Sequence, residues 1–294
     1  MMSRKILARF DELNTWRQGS IRAPHKPLLI LYALGRWQHG ETDFTFKDAE
    51  SDLAALLREF GPPRKSDHPE QPFWRLQKDG VWTVKAPADL PMKTGDDIPR
   101  LGALRSPEVR GEFSTDVQAA LKEDQNLVVQ IANQLLEEHF PESLHQDIVN
   151  AVGLTLEVTK KKRDPAFRSR VLRAYEYRCA ICGFDVRLGS VSIALDAAHI
   201  QWHQAGGPDV ESNGLALCVL HHKTFDLGAF TVSRDELILI SDQVNGSSGL
   251  DEGLVQFHGK PMRQAQRRDW RPFPDHLDWH AREVFKGEAR ETVR

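Results

Sequence analysis

Residues 179–182 are Cys-Ala-Ile-Cys, and residues 218–226 are Cys-Val-Leu-His-His-Lys-Thr-Phe-Asp. A CxxC knuckle followed, one supersecondary unit later, by a CxxH knuckle is the usual way in which proteins assemble a tetrahedral structural zinc site. The two knuckles use all three cysteines of the chain, and their paired spacing argues against three unrelated buried thiols. We therefore predict a closed zinc site that stabilises the fold. Its expected ligands are Cys179, Cys182, Cys218 and His221.

The composition around these knuckles is that of a globular protein. The chain has 294 residues, of which 40% are hydrophobic and 28% are charged, and at about 100–200 residues per domain we expect two domains. No apolar run approaches the about 20 residues that span a bilayer, and the N-terminus lacks the apolar stretch of a signal peptide. We therefore expect no membrane partner and a cytoplasmic protein. An odd cysteine count without an export signal also favours metal binding over disulfides.

The charge balance excludes a uniformly basic protein that coats nucleic acid. Lysine and arginine number 39 against 42 aspartate and glutamate residues, which gives a net charge of −3. A local basic groove stays compatible with this balance, because recognition depends on where the charges lie. Arginines cluster near the C-terminus, where they indicate either a solvated helix face or phosphate positioning. They are Arg263, Arg267, Arg268 and Arg271.

The N-terminal half shows helical periodicity interrupted by one turn signal. Apolar residues recur at helical spacing in four stretches: residues 3–18, Leu28–His39, Lys47–Phe60 and 114–152. Asp79-Gly80 separates two β-prone runs, residues 73–78 and 81–84, which predicts a β-hairpin. Helices followed by a hairpin favour a winged-helix-like DNA-binding domain, and the fold class that we predict for the chain is α+β.

A charge run, Lys160-Lys161-Lys162-Arg163, precedes Asp164-Pro165. We place the domain boundary here, with a first domain over residues 1–155, a basic linker over 156–165 and a second domain over 166–294. The run is either a solvated linker or a strap near the DNA backbone, where lysine and arginine provide affinity that does not depend on sequence.

Three residues around the second knuckle suggest catalysis. His199 and Asn213 lie between the knuckles, and His222 follows the zinc ligand His221. In this order, residues 175–230 resemble the HNH nucleases, whose active site is a ββα-metal hairpin and helix. The resemblance implies phosphodiester hydrolysis, with His199 as general base, Asn213 as the brace of its loop and His222 as ligand of a catalytic divalent cation. An imidazole with a pKa near 6.5 suits a general base, and a cation stabilises the phosphate and the leaving oxygen.

One position departs from the family, because Ala198 stands where many members carry a second metal ligand. Asp226 follows His222 by four residues and shares its helix face, whereas Asp196 shares the strand face of Ala198. We predict Asp226 as the second ligand; in the alternative it is a surface carboxylate and water completes the coordination. The candidate catalytic cations are Mg²⁺, Mn²⁺, Ni²⁺ and Co²⁺. Nearby, His203 is best explained as surface and Trp202 as packing.

The first half also resembles a known domain. Residues 22–31 (Arg-Ala-Pro-His-Lys-Pro-Leu-Leu-Ile-Leu), 72–74 (Pro-Phe-Trp) and 139–145 are similar to the sulfur-binding domain of phosphorothioate-dependent type IV restriction endonucleases, which cut foreign DNA whose backbone carries sulfur. The order of the two domains is similar as well. The resemblance implies that double-stranded, phosphorothioated DNA is the partner.

A site that prefers sulfur to oxygen needs an apolar dent rimmed by cationic donors, because sulfur is larger, softer and a poorer hydrogen-bond acceptor. Pro72 and Phe73 are the expected apolar wall, and Trp74 is better explained as hairpin core. The family often has an aromatic residue where this chain has Gln71. The expected donors are His25, Lys26, Arg75 and Arg110, of which the first two also lie at a helix N-terminus, which favours anions.

We therefore expect a bacterial modification-dependent restriction endonuclease. A single active site cuts one strand, so a double-strand break needs a homodimer or two independent nicks. One alternative is an HNH nuclease that is directed to its DNA by methylated bases or by a plain sequence. The other is a zinc-stabilised DNA-binding regulator without catalysis, which only Ala198 favours.

Overall fold

The computed structural model describes residues 2–14, 24–156 and 165–291. The described residues divide into two compact units, the first made of residues 2–14 and 24–156 and the second of residues 165–291. Apart from its two end residues, the predicted basic linker 156–165 lies outside the described residues, and so does its charge run. Among the helices of the described residues, none is long and apolar enough to cross a membrane.

The first unit combines helices with one small sheet. Its helices are α1 (Met2–Asp11), α2 (His25–Gln38), α3 (Phe46–Phe60), α4 (Glu70–Arg75), α5 (Leu101–Leu104), α6 (Thr115–Glu123), α7 (Asn126–His139) and α8 (Glu142–Ala151). Its strands are β1 (Asp43–Thr45), β2 (Trp82–Lys85) and β3 (Arg110–Phe113). The sheet has the order β1-β3-β2, and both pairings are antiparallel.

Helix α2 is largely buried, with every residue from Pro27 to Gly35 inside the core. Proline in its first turn is well tolerated, because the missing N–H has no partner there. Helix α3 begins where the Thr45 hydroxyl accepts a hydrogen bond from the Asp48 N–H at 3.1 Å, which satisfies one of the orphan donors of the first turn. These two helices confirm the sequence prediction, although α2 begins three residues earlier than Leu28.

The other predicted helices differ in extent. Helix α1 ends at Asp11, whereas we predicted a helix to residue 18; positions 15–18 lie outside the described residues. The stretch 114–152 contains three helices, α6, α7 and α8, whose apolar faces supply buried leucine and isoleucine to the core. Gly153 follows with a φ of 70°, and it ends the last of them as expected.

The predicted hairpin over residues 73–84 is wrong. Residues of its first arm form α4 and a 3₁₀ turn, Leu76–Asp79, and β2 pairs with the distant strand β3 instead. Phe73 and Leu76 are three residues apart and both fully buried, so a helical turn places them on one face. Gly80 adopts a φ of 72°, and this left-handed conformation serves as a helix stop as readily as it serves a hairpin turn.

Over its described residues, the second unit contains three two-stranded antiparallel sheets and short helices. Its helices are α9 (Pro165–Ala174), α10 (Val219–Asp226), α11 (Leu250–Gly253) and α12 (Pro274–Glu283). Its strands are β4 (Arg187–Leu188), β5 (Val191–Ser192), β6 (Leu195–His199), β7 (Gly214–Cys218), β8 (Phe230–Val232) and β9 (Ile238–Ile240). They pair as β4-β5, β6-β7 and β8-β9.

The predicted ββα unit is formed by β6, β7 and α10. His199 is opposite Gly214 and Leu195 is opposite Cys218, and α10 begins at the residue after β7 ends. The core below the unit includes Ala198 and Phe225, both fully buried. This arrangement places His199 at the end of the first strand and His222 on the helix, as the resemblance implied.

The C-terminal arginine cluster does not lie on a long helix face. Only the 3₁₀ turn Arg268–Trp270 falls within it. Arg267 forms an ion pair with Asp269 at 2.9 Å, and its guanidinium lies 4.7 Å from the centroid of the Trp270 ring. The expectation of a solvated helix face is therefore wrong for this segment.

Candidate functional site

The four predicted zinc ligands lie together. Their ligand atoms are all within 4.8 Å of one another. The Sγ atom of Cys218 is 3.1 Å from Nδ1 of His221, that of Cys179 is 3.6 Å from the same nitrogen, and the sulfurs of Cys182 and Cys218 are 3.9 Å apart. A tetrahedral site with Zn–S bonds of about 2.3 Å has sulfur atoms about 3.8 Å apart. The cluster therefore fits a metal ion of this kind.

The surroundings of the cluster suit a closed site. Cys179, Cys218 and His221 are buried, while Cys182 is exposed. The Nε2 atom of His221 donates to the Gly253 carbonyl at 3.0 Å, which fixes the ring so that Nδ1 faces the thiols. Contacts among the three thiols lower the pKa of Cys179 and raise that of Cys182, so Cys179 is the first of these two thiols to ionise. A thiolate is the form that binds metal.

His199 makes two contacts that fix its ring. Its Nε2 is 2.7 Å from Oδ1 of Asp209, and the ring of Phe167 stacks on it with centroids 4.1 Å apart and planes 14° apart. The side chain of His199 is 8% exposed. The neighbouring Ala198 is fully buried, so this position contributes packing.

Asn213 is buried, and both the Nδ2 and the Oδ1 atom of its side chain form hydrogen bonds. Its Nδ2 donates to the carbonyl oxygens of Gln201 and Pro208 at 2.9 and 3.0 Å, and its Oδ1 accepts from the Gln201 N–H at 2.8 Å. The loop between β6 and β7 is thereby tied together just beyond His199. This contact pattern is what a bracing asparagine requires.

His222 and Asp226 lie side by side on α10. Nε2 of His222 is 3.2 Å from Oδ2 of Asp226, and the two side chains are 16% and 2% exposed. An imidazole and a carboxylate at this distance can share one divalent cation. The alternative ligand, Asp196, instead forms an ion pair with Arg168 at 3.0 Å. The geometry thus favours Asp226 over Asp196 as a metal ligand.

Sequence reasoning missed the partners of His199. Asp209 lies in the irregular loop between the strands, where the only local signal is the turn-forming run Gly206-Gly207-Pro208 before it. Phe167 comes from α9, far away in sequence. Of the two residues noted beside this site, His203 is exposed, while Trp202 is buried against Trp279 with ring centroids 5.9 Å apart, as packing predicts.

In the first unit, four of the predicted DNA-binding residues line one cavity. The cavity has a volume of about 810 Å³ and includes His25, Lys26, Pro72 and Arg75. Gln71, at the position where an aromatic residue is usual, lines it as well. It also contains basic residues that the sequence did not single out. These are Arg64, Lys65, His68 and Lys78. An apolar proline inside a mainly cationic rim is suited to a modified phosphate.

Acidic residues hold two of the predicted donors. The ammonium of Lys26 is 2.5 Å from the Asp79 carboxylate, whose side chain is 2% exposed. Arg75 pairs with Asp96 at 2.7 Å and with Asp97 at 2.9 Å. Lys65, in contrast, is exposed. The cavity rim therefore combines anchored cations with exposed ones.

Phe73 and Arg110 do not lie where we expected them. Phe73 is fully buried, and its ring packs against that of Phe46 with centroids 5.1 Å apart, so it belongs to the aromatic core and does not line the cavity. Both Nε and Nη2 of Arg110 donate to the carboxylate of Asp43 at 2.9 Å. This pair joins β3 to β1, and Arg110 does not line the cavity either. Trp74 is half-buried.

Comparison with known proteins gives two family matches. Residues 3–157 match the family model for the ScoMcrA-like DNA sulfur-binding domain, and residues 179–233 match that for an HNH endonuclease. The first match covers more than half of the chain. No curated protein matches the chain.

Three solved structures illustrate weaker likenesses, each with a TM-score below 0.5. The sulfur-binding domain of ScoMcrA complexed with phosphorothioated DNA has a TM-score of 0.45 and 20% identity, over 50% of this chain and 94% of that one. The type IV phosphorothioation-dependent restriction endonuclease ScoMcrA gives 0.43 and 19%, over 54% of this chain and 37% of its own. The modification-dependent TagI restriction endonuclease gives 0.29 and 27%, over 45% and 41%. The assignment rests on the family models alone: the chain belongs to the ScoMcrA-like DNA sulfur-binding domain family, and it carries an HNH endonuclease domain after that domain.

Proposed function

We propose that this protein is a bacterial, cytoplasmic restriction endonuclease that recognises phosphorothioated double-stranded DNA and hydrolyses a nearby phosphodiester bond. The observation that carries the proposal is that one chain joins a DNA sulfur-binding domain to an HNH endonuclease domain. A binding module for a backbone modification gives a small nuclease the targeting that it lacks by itself. The proposed domain limits are residues 1–155 and 166–294, joined by the basic linker.

The first unit is proposed to bind DNA as a winged-helix-like domain. Its order of α2, β1, α3, α4, β2, α5 and β3, with β3 between the other two strands of the sheet, supports this interpretation. The cavity would receive the modified phosphate, with the ring of Pro72 against sulfur and the cationic rim near the remaining oxygens. His25 and Lys26 in the first turn of α2 add backbone N–H groups that favour anions.

The Cys₃His cluster is proposed to hold structural zinc, because its three thiols and one imidazole are the donors that zinc prefers. The cluster connects Cys179 and Cys182, before β4, with the end of β7 and the start of α10. Zinc there would hold the ββα unit together and take no part in the reaction.

His199 is proposed to remove a proton from the attacking water. The oxygen of that water forms a bond to phosphorus, the bond from phosphorus to the 3′ oxygen breaks, and the 3′ oxygen takes up a proton. The products carry a 5′-phosphate and a 3′-hydroxyl. A divalent cation such as Mg²⁺, Mn²⁺, Ni²⁺ or Co²⁺, held by His222 and Asp226, would stabilise charge on the phosphate and on the leaving oxygen. Asn213 keeps the loop that carries His199 in place.

Cleavage of matched duplexes tests the proposal. Two DNAs of identical sequence, one with a single phosphorothioate link, are incubated with the protein and each of the four cations. We expect cleavage of the sulfur-bearing duplex at a clearly higher rate. Equal rates on both duplexes would favour the alternative in which the nuclease is directed by methylated bases or by a plain sequence.

A His199→Ala variant separates the enzyme from a non-catalytic regulator. General-base removal lowers a rate by about 10²- to 10⁴-fold, so cleavage should be lost while affinity for the sulfur-bearing duplex stays within about twofold. A variant that cleaves like the wild type would overturn the role of His199. Nicked and linear plasmid products, followed at several protein concentrations, distinguish two independent nicks from a homodimer.

A further inference from the structure

The contact between His199 and Asp209 points to a second residue in the catalytic apparatus. The Nε2–Oδ1 distance is 2.7 Å, and the Asp209 side chain is 35% exposed while that of His199 is 8% exposed. We propose that Asp209 is a positioning residue, which fixes the tautomer and the orientation of the His199 imidazole. The inference rests on the proposed nuclease function, since it gives the general base a partner.

The chemistry of the pair follows from which atoms meet. An ionised carboxylate only accepts hydrogen bonds, so the neutral imidazole must carry its proton on Nε2. The lone pair that can take a proton from water is then on Nδ1. After proton transfer, the nearby negative charge stabilises the imidazolium. A carboxylate in this place therefore selects the competent tautomer and favours the protonated product of the first step.

The loop holds Asp209 in register with His199. Through Nδ2, Asn213 binds the carbonyl of Gln201, two residues after His199, and that of Pro208, immediately before Asp209. Arg170 on α9 donates to the Asp209 carbonyl at 2.7 Å. One asparagine thus ties together the two chain segments that carry the base and its carboxylate.

Two packing features support this geometry. A Cβ at Gly207 would lie 1.8 Å from the Gln201 carbonyl oxygen and 2.8 Å from Nδ2 of Asn213, so only glycine allows the loop to close this tightly. The ring of Phe167 stacks on one face of the His199 imidazole and restricts its rotation. The Asp209 carboxylate holds the edge of the imidazole at Nε2 and restricts the same rotation. A surface carboxylate that merely neutralised a histidine would need neither feature.

The test compares Asp209→Ala, Asp209→Asn and Asp209→Glu in the full chain. The control is Asp235→Asn, which changes an exposed carboxylate of the same unit between β8 and β9. We expect Asp209→Ala to lower kcat for the sulfur-bearing duplex by about 10- to 100-fold with KM unchanged. Asp209→Asn, which keeps the shape but loses the charge, should also lower kcat, Asp209→Glu should restore part of it, and Asp235→Asn should match the wild type.

A second measurement does not depend on activity. ¹⁵N-histidine labelling, with His199→Ala for assignment, reports the tautomer of His199; we expect Nε2–H in the wild type and a mixture in Asp209→Ala. Circular dichroism checks folding, and Asp209→Asn carries the test if the alanine variant does not fold. Unchanged kcat and an unchanged tautomer in the variants would overturn the inference. So would a higher cation concentration for half-maximal rate in Asp209→Ala, because Asp209 would then be a metal ligand. A wild type that cleaves no duplex would defeat the proposed function, while the tautomer would still test the inference.

Discussion

Arg110 shows how one side chain that the sequence assigned to DNA is used for structure. Its guanidinium donates two hydrogen bonds to Asp43, and these hydrogen bonds hold the pKa of the Asp43 carboxyl below its ordinary value. Both side chains are about one-third exposed, so water and salt weaken the pair. The contact links two strands of the first unit at modest energy.

The Asp43–Arg110 pair makes stability depend on pH. Because the folded pKa of Asp43 lies below the unfolded one, its contribution is present above the unfolded pKa and is lost as the pH falls through the folded pKa. We expect Asp43→Asn to lower the free energy of unfolding by less than about 1 kcal/mol near pH 6, and the difference should shrink as the pH falls below the unfolded pKa of about 3.9. Urea unfolding at several pH values measures it. Asp89→Asn, an exposed carboxylate, is the control, and a difference constant with pH would contradict the assignment.

Single residues were predictable where chemistry follows local spacing. The four predicted zinc ligands stand at knuckle spacing, and the position of Asp226 beside His222 follows from helical periodicity, so both sets meet in the structure. Asp209 was not predictable, because an irregular loop has no period from which a side-chain direction can be read. The burial of Phe73 was missed for a related reason: an apolar residue next to Pro72 fits a pocket wall and a core equally well.

At the level of secondary structure, the ββα unit was predictable and the sheet of the first unit was not. His199 ends β6, Asn213 precedes β7 and His222 lies on α10, so the order of the motif residues along the chain matches the order of the elements. Strand β2 pairs with β3, which lies far along the chain. No local sequence pattern predicts a pairing between such distant segments. Asp79-Gly80 does mark a change of chain direction, as predicted. Because the preceding residues pack as a helical turn, it ends that turn instead of joining two strands.

Zinc bound at the Cys₃His cluster, as proposed, is expected to stabilise the second unit. Cys179→Ser removes one of four ligands, and since metal binding contributes folding free energy, the variant should lose bound zinc and unfold at a clearly lower temperature. Metal content per chain and thermal unfolding measure both effects. Ser190→Ala, an exposed change in the same unit, should alter neither. A Cys179→Ser protein with full zinc content, stability and cleavage would exclude the structural role.

For the whole molecule, binding to DNA must come from segregated charge, because the net charge is −3. Each lost phosphate contact lowers the slope of log affinity against log salt by about 1. We expect this lower slope for Lys65→Ala, by the same amount with sulfur-bearing and plain duplexes. An exposed lysine at the cavity interacts with the charge of the phosphate and does not distinguish sulfur from oxygen. Lys122→Ala, on α6 outside the cavity, should leave the slope unchanged. Titrations at several salt concentrations measure it, and an unchanged slope in Lys65→Ala would remove the cavity rim from the interface.

Pro72→Ala should act differently from Lys65→Ala. If the proline ring contacts sulfur, the variant loses affinity mainly for the sulfur-bearing duplex, and its salt slope stays that of the wild type. The ratio of the two dissociation constants is the measurement. An equal loss on both duplexes would place Pro72 in general DNA contact or in folding.

Two consecutive histidines on α10 face different partners: His221 is 1% exposed beside the thiols, and His222 lies beside Asp226 with its side chain 16% exposed. Stripping of metals should therefore run in two kinetic phases. A short exposure to EDTA should stop cleavage reversibly, with full recovery on addition of Mg²⁺ or Mn²⁺. Prolonged incubation with a zinc-selective chelator should cause an inactivation that those ions do not reverse. The interval between the two phases would measure the rate at which the closed cluster opens.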